Sequence, residues 1–170
     1  MIILKTELLL LASLFLWSGS ASAQSVDREP VAIVELGGAA SRDLGGGSSL
    51  GPDLAVEVTP IENWLELEAG VTPLFRPHST EWDTDLLFKK PWTLTEKAEF
   101  MVGLGPEWVH TRAYGVTTDS IAGGAVLDFM FWPSAKHKFG WYLEPAFDYS
   151  LGRGHEQSVG ISGGLLIAIR

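Results

Sequence analysis

The sequence predicts an all-β protein: a closed antiparallel up-and-down transmembrane β-barrel of eight strands. Three observations predict it. Segments rich in valine, isoleucine, leucine and aromatics recur over residues 31–170, broken by glycine, proline, asparagine and serine. In six of these segments the side chains divide with a period of two, and one of the two faces carries no charge. The chain also opens with an export signal, and no later apolar run is long enough for a membrane helix.

The signal comes first. Met1–Glu7 includes Lys5 and precedes the apolar run Leu8–Trp17. Ser18–Ser20 then lead into Ala21-Ser22-Ala23, the small-residue pattern that signal peptidase cuts. The run is too short to span a bilayer as a helix, so residues 1–23 are expected to be removed. A retained anchor would leave the small polar stretch unexplained. Residues 24–30 form a short periplasmic lead-in, and 31–170 form the barrel domain.

Eight strand-like segments follow, near 31–40, 52–60, 64–75, 84–92, 98–109, 120–132, 139–151 and 158–170. In the second, Leu54, Val56 and Val58 alternate with Asp53, Ala55 and Glu57. In the third, Leu65, Leu67, Ala69 and Val71 oppose Glu66, Glu68 and Gly70. The fifth sets Phe100, Val102, Leu104 and Trp108 against Glu99, Met101, Gly103 and Glu107. The sixth sets Ile121, Leu127 and Phe129 against Val126, Asp128 and Met130. In the seventh, Trp141, Leu143 and Phe147 oppose Tyr142, Glu144 and Asp148, and in the last Val159, Ile161 and Leu165 oppose Ser162, Leu166 and Arg170. The same parity places Glu35 of the first segment on the charged face. Strands of this length cross a bilayer when tilted.

The connections 42–50, 76–83, 110–119 and 152–157 read as the longer or more polar set, with Gly45-Gly46-Gly47-Ser48-Ser49 as a flexible loop. Those at 61–63, 93–97 and 133–138 are shorter on average. Long connections at one end and short turns at the other predict periplasmic turns and termini. The glycine pairs Gly37-Gly38, Gly123-Gly124 and Gly163-Gly164 lie inside strands with no helix after them, so they read as bulges or bends rather than phosphate loops.

Alternation alone does not say which face points out, because a soluble lipocalin-like ligand-binding barrel of the periplasm has the reverse arrangement. Three features favour lipid outside. Trp64, Trp92, Phe131, Phe139 and Trp141 flank the short-turn end, while Phe75, Trp82, Trp108 and Tyr149 lie toward the long-loop end. Two such girdles suit the headgroup zones of a bilayer. The polar face is rich in glycine (Gly70, Gly103, Gly105, Gly124, Gly140, Gly160, Gly164), which weakens an exposed soluble strand but makes room in a narrow lumen. That face is also nearly all acidic, whereas a soluble surface mixes signs.

With its signal, short first strand, eight alternating strands and aromatic girdles, the chain resembles the small outer-membrane barrels of the OmpA/OmpX/OmpW type. Val126-Leu127-Asp128-Phe129-Met130-Phe131-Trp132-Pro133 and Phe139-Gly140-Trp141-Tyr142-Leu143-Glu144-Pro145 are similar to segments of other bacterial barrels. The resemblance covers about residues 30–170 and is architectural. It implies a Gram-negative outer membrane, contact with its lipid bilayer, insertion by barrel-assembly machinery and a monomer. Such barrels usually end in an aromatic residue that the machinery reads, whereas this sequence ends Ile167-Ala168-Ile169-Arg170.

Charge narrows the function. The chain holds 12 Lys+Arg against 21 Asp+Glu, a net charge of −9, and removing the signal takes away one of each sign, Lys5 and Glu7. An acidic chain without a basic run has no footprint for nucleic acid. With no cysteine, the domain depends on its core and on backbone closure.

The candidate site is the charge inside the barrel. Glu35, Glu57, Glu66, Glu68, Glu99, Asp128 and Glu144 fall in the short-turn half, with Lys89 and Arg170 as the cationic partners. The guanidinium fork of Arg170 suits two carboxylates. The plainer reading is a salt-bridge network that fills the lumen. The sharper one is a gated ion path or cation site.

Other chemistry is weaker. His78, His110 and His155 share the long-loop end with Glu81, Asp119 and Glu156, but lack the tight spacing of a metal site, so no metal or cofactor is assigned. His155, Glu156 and Ser158 lie close in sequence, yet there is no G-x-S-x-G and no match to a lipid A deacylase pattern. The expectation is therefore a non-enzymatic outer-membrane barrel with a structural or interaction role and a lumen plugged by side chains. The alternative is a narrow channel or small-solute transporter that uses the acidic lumen. No particular ligand or protein partner is legible.

Overall fold

The computed structural model describes residues 30–134, 136–152 and 155–170, so the expected signal at 1–23 lies outside the described residues. Eight strands form one closed antiparallel sheet: β1 Ala32–Asp43, β2 Ser48–Ile61, β3 Leu65–Arg76, β4 Ser79–Thr95, β5 Ala98–Ala113, β6 Val116–Phe131, β7 Phe139–Ser150 and β8 Gln157–Ile169. β1 pairs with β2 on one side and β8 on the other, so that Leu36 sits opposite both Leu54 and Leu165. Closure pairs the backbone of every strand, which matters because an unsatisfied amide in hydrocarbon costs several kcal/mol.

The apolar face points outward. Leu104 is 49 % exposed, Ile121 50 % and Leu165 62 %. The inward parity holds Glu35, Glu57, Lys89, Met101, Asp128, Met130 and Leu166, all buried. A soluble lipocalin-like barrel has the opposite arrangement, so that alternative is overturned. A continuous exposed apolar belt around an acidic interior is the surface of a barrel that lies in lipid.

Both aromatic bands are present. At the end where β1 begins and β8 stops, Trp92 stacks on Phe100 across β4–β5, and Phe100 packs on Phe129 across β5–β6. Phe131 stacks on Trp141 at 4.0 Å across β6–β7, and Trp64 and Phe139 lie exposed nearby in the chain. Toward the other end Phe75, Trp82 and Trp108 are exposed, and Tyr149 is half-buried and stacks on His155.

The connections depart from the sequence expectation. The stretches 76–83 and 110–119 are not long loops. β3–β4 turn through Pro77 and His78 alone, and β5–β6 through Tyr114 and Gly115. The proline ring presets φ for the first turn and His78 takes φ 66°. In the second, Tyr114 (φ 51°) and Gly115 (φ 81°) are both left-handed, as the twist of a two-residue hairpin requires. Polar composition reads as loop from sequence, but here it belongs to strands that continue past the aromatic band into water. Among the described residues the longest connection is 132–138, at the end expected to hold only short turns. Register shifts between Val58 and Ile61 and between Thr93 and Thr95 lie at that same end, the barrel rim where bulges concentrate.

Candidate functional site

Within the barrel the side chains form three successive environments. Nearest the start of β1 and the end of β8 is an apolar cluster of Ile33, Met101, Met130, Trp132, Tyr142 and Leu166. Trp132 leaves the end of β6 and turns inward, 1 % exposed, with His137 stacked on it at 5.2 Å. Gly140 gives it space, since a Cβ there would lie 2.8 Å from the indole.

Next comes the charged layer. Lys89, 1 % exposed, projects from β4 into the lumen. Its Nζ donates to Asp128 Oδ2 on β6 at 2.9 Å and to Glu144 Oε2 on β7 at 2.7 Å. It also ion-pairs with Glu68 on β3, and Glu57 Oε2 on β2 lies 3.7 Å away. One ammonium thus links β4 to four other strands. Glu35 and Glu66 are buried beside this group. Gly103, paired with Lys89 across β4–β5, accommodates the lysine stem: a Cβ there would meet Val126 Cγ2 at 2.6 Å and Lys89 Cγ at 2.9 Å. Gly103→Ala is expected to destabilise the barrel by about 1–3 kcal/mol, as overpacking does. Gly123→Ala, with nothing within 4 Å, serves as the neutral comparison in urea unfolding.

The third environment is a cavity of about 90 Å³ beyond the charged layer. Asp53, Asp83, Asp85, Glu107 and Asp148 line it, and Glu68 and Glu144 form its boundary with the Lys89 layer. Asp53 is held on both oxygens, by Thr72 Oγ1 at 2.7 Å and by the Tyr142 hydroxyl reaching across from β7. Ser158 donates to Asp148 at 3.1 Å. At the outer mouth Arg76 binds Asp43 with two guanidinium nitrogens and lies 3.7 Å from Glu81, tying β1, β3 and β4 together.

The structure therefore gathers Glu57, Glu68, Asp128 and Glu144 around Lys89, with Glu35 and Glu66 buried nearby. Arg170 is exposed at the chain end and donates to the Lys136 carbonyl, and Glu99 is half-buried. The sequence set Asp53, Glu107 and Asp148 on the charged face without joining them into a site, and it missed Asp83, Asp85 and Arg76 there, although a signal existed for two of these. The parity that turns Lys89 inward runs back through Leu87, Asp85 and Asp83. The histidines stay apart: His110 pairs with Asp119 at 2.8 Å, His78 stacks on Tyr114, and His155 stacks on Tyr149.

No protein-family model matches the chain, and no curated protein matches it by sequence. Solved structures do match. Neisserial surface protein A (NspA) aligns over 81 % of this chain and 96 % of its own at TM-score 0.65 and 10 % identity. The N-terminal β-barrel domain of Pseudomonas aeruginosa OprF aligns over 82 % and 100 % at TM-score 0.58 and 10 % identity. Ail, the attachment invasion locus protein of Yersinia pestis, aligns over 82 % and 100 % at TM-score 0.52 and 11 % identity. At such identities the likeness is one of fold: the chain has the architecture of the small eight-stranded outer-membrane β-barrels.

Proposed function

We propose that this protein is a non-enzymatic outer-membrane barrel with a structural or interaction role and a lumen closed by side chains. The observation that carries the reading is the stacking of the Lys89 layer on the apolar cluster. A buried ammonium shared among carboxylates on facing strands, backed by the buried side chains of Met101, Met130 and Trp132, supports a closed lumen. The hairpins at 77–78 and 114–115 rise past the outer aromatic band and present Tyr114 and Val116 to water, which gives a surface role a place. Lipid is one partner, the barrel-assembly machinery a second, and the protein works as a monomer.

The second reading, a narrow cation path, draws support from the acidic cavity above the network. Planar-bilayer recording separates the two. Wild type is expected to be silent, and Trp132→Ala together with Glu144→Gln to produce small cation-selective steps. Steps from wild type that fall in Glu68→Gln would replace the first reading by the second. Outer-membrane fractionation and heat-modifiable gel mobility test the location, and a detergent-free soluble monomer would overturn it.

A further inference from the structure

The Lys89 network leaves acids unanswered. An ammonium has three donors. Lys89 donates to Asp128 and Glu144 and ion-pairs with Glu68, while Glu57 stands at 3.7 Å, beyond a hydrogen bond. Glu57 is 1 % exposed, and its two buried carboxylate oxygens meet no N–H or hydroxyl donor, their neighbour being the carboxyl group of Glu66. Glu35 Oε1 and Asp128 Oδ1 are also buried without a hydrogen-bond partner. A buried acceptor without a donor is costly, and a buried carboxylate more so. Among the described residues, ligand oxygens of Glu35, Glu57, Glu68 and Asp128 lie within 4.8 Å of one another.

We infer that Glu35, Glu57, Glu68 and Asp128 form a calcium-sized divalent cation site in the barrel lumen, next to Lys89. Three physical points select the ion. All four donors are carboxylate oxygens, which suits hard cations rather than zinc. A buried cage of protein oxygens suits Ca²⁺, which accepts six to eight oxygens in flexible geometry, better than Mg²⁺, which gives up its waters reluctantly. Charge points the same way. Glu35, Glu57, Glu66, Glu68, Asp128 and Glu144 are buried around one ammonium, so acids outnumber the cation and a divalent ion supplies positive charge where it is short.

The ion and the lysine need not compete for the same atoms. Asp128 gives Oδ2 to Lys89 and keeps Oδ1 unbonded, and Glu57 has both oxygens available. The cluster also adjoins a cavity. The outer cavity shares Glu68 with the cluster, and its walls of Asp53, Asp85, Glu107 and Asp148 raise the local concentration of cations. The inference stands apart from the conduction question, since it needs neither an open nor a closed lumen.

The test uses the full barrel folded in detergent, stripped with EDTA and dialysed against CaCl2 at pH 8. Bound calcium is read by atomic emission and the thermal midpoint by circular dichroism. One Ca²⁺ per barrel is expected, with a higher midpoint and at least tenfold weaker Mg²⁺ binding. Glu57→Gln and Glu35→Gln should each weaken calcium binding tenfold or more while keeping heat-modifiable mobility. Asp119→Asn, in the exposed pair with His110, should bind as wild type does. Failure of one variant to fold leaves the other to decide. The site is ruled out if folded wild type binds no calcium at millimolar concentration, as protons alone on the carboxylates would produce. Binding equal in wild type and both Gln variants also rules it out, by locating the ion elsewhere.

Discussion

Lys89→Met is expected to lower the unfolding free energy of the barrel by about 3–5 kcal/mol, the loss typical when one member of a buried ion pair is removed. The value belongs at the upper end of that range. Lys89 is within ion-pair distance of four carboxylates, on β2, β3, β6 and β7, so its loss strands several buried charges at once. Methionine keeps most of the stem volume beside Gly103 and Val126, which confines the change to charge. Urea unfolding in detergent, followed by tryptophan fluorescence, measures it. Adding Glu68→Gln and Glu144→Gln to Lys89→Met should recover much of the loss by removing stranded charge. A Lys89→Met barrel as stable as wild type would mean that the network does not hold the strands together.

The second large effect concerns the outer face. Leu104 lies on β5 midway between Phe100 and Trp108, hence near the centre of the apolar belt. Leu104→Arg is expected to cost about 2–4 kcal/mol in a bilayer, because a guanidinium at the midplane has no water. Val116→Arg, beyond the outer aromatic band at the start of β6, should cost about 0–1 kcal/mol. Folding both variants into lipid vesicles and comparing urea midpoints tests the depth assignment. Equal costs at the two positions would mean that the belt is not in lipid. A water-soluble barrel would gain solubility from either change.

The alternation of Leu, Val and Phe with Glu, Asp and Gly made the strands and their two faces legible from local order alone, because side chains on a strand alternate by necessity. Strand ends were harder. Ser79–Glu81, Thr111 and Arg112 are polar because they rise past the lipid into water, and polarity at a strand end looks like a loop until its backbone pairing is seen.

Read alone, the sequence determined an eight-stranded barrel, its acidic inward face and the inward turn of Lys89. Tertiary structure alone decided that this inward face meets itself across a narrow lumen. It selected Glu57, Glu68, Asp128 and Glu144 as the partners of Lys89 and left Arg170 at the chain end. It also sent Tyr142 across to Asp53 and folded Trp132 under the charged layer. The physical reason is stagger. Parity along a strand gives the face a residue occupies, but its height in the barrel depends on the register accumulated around the closed sheet, and only closure sets that sum.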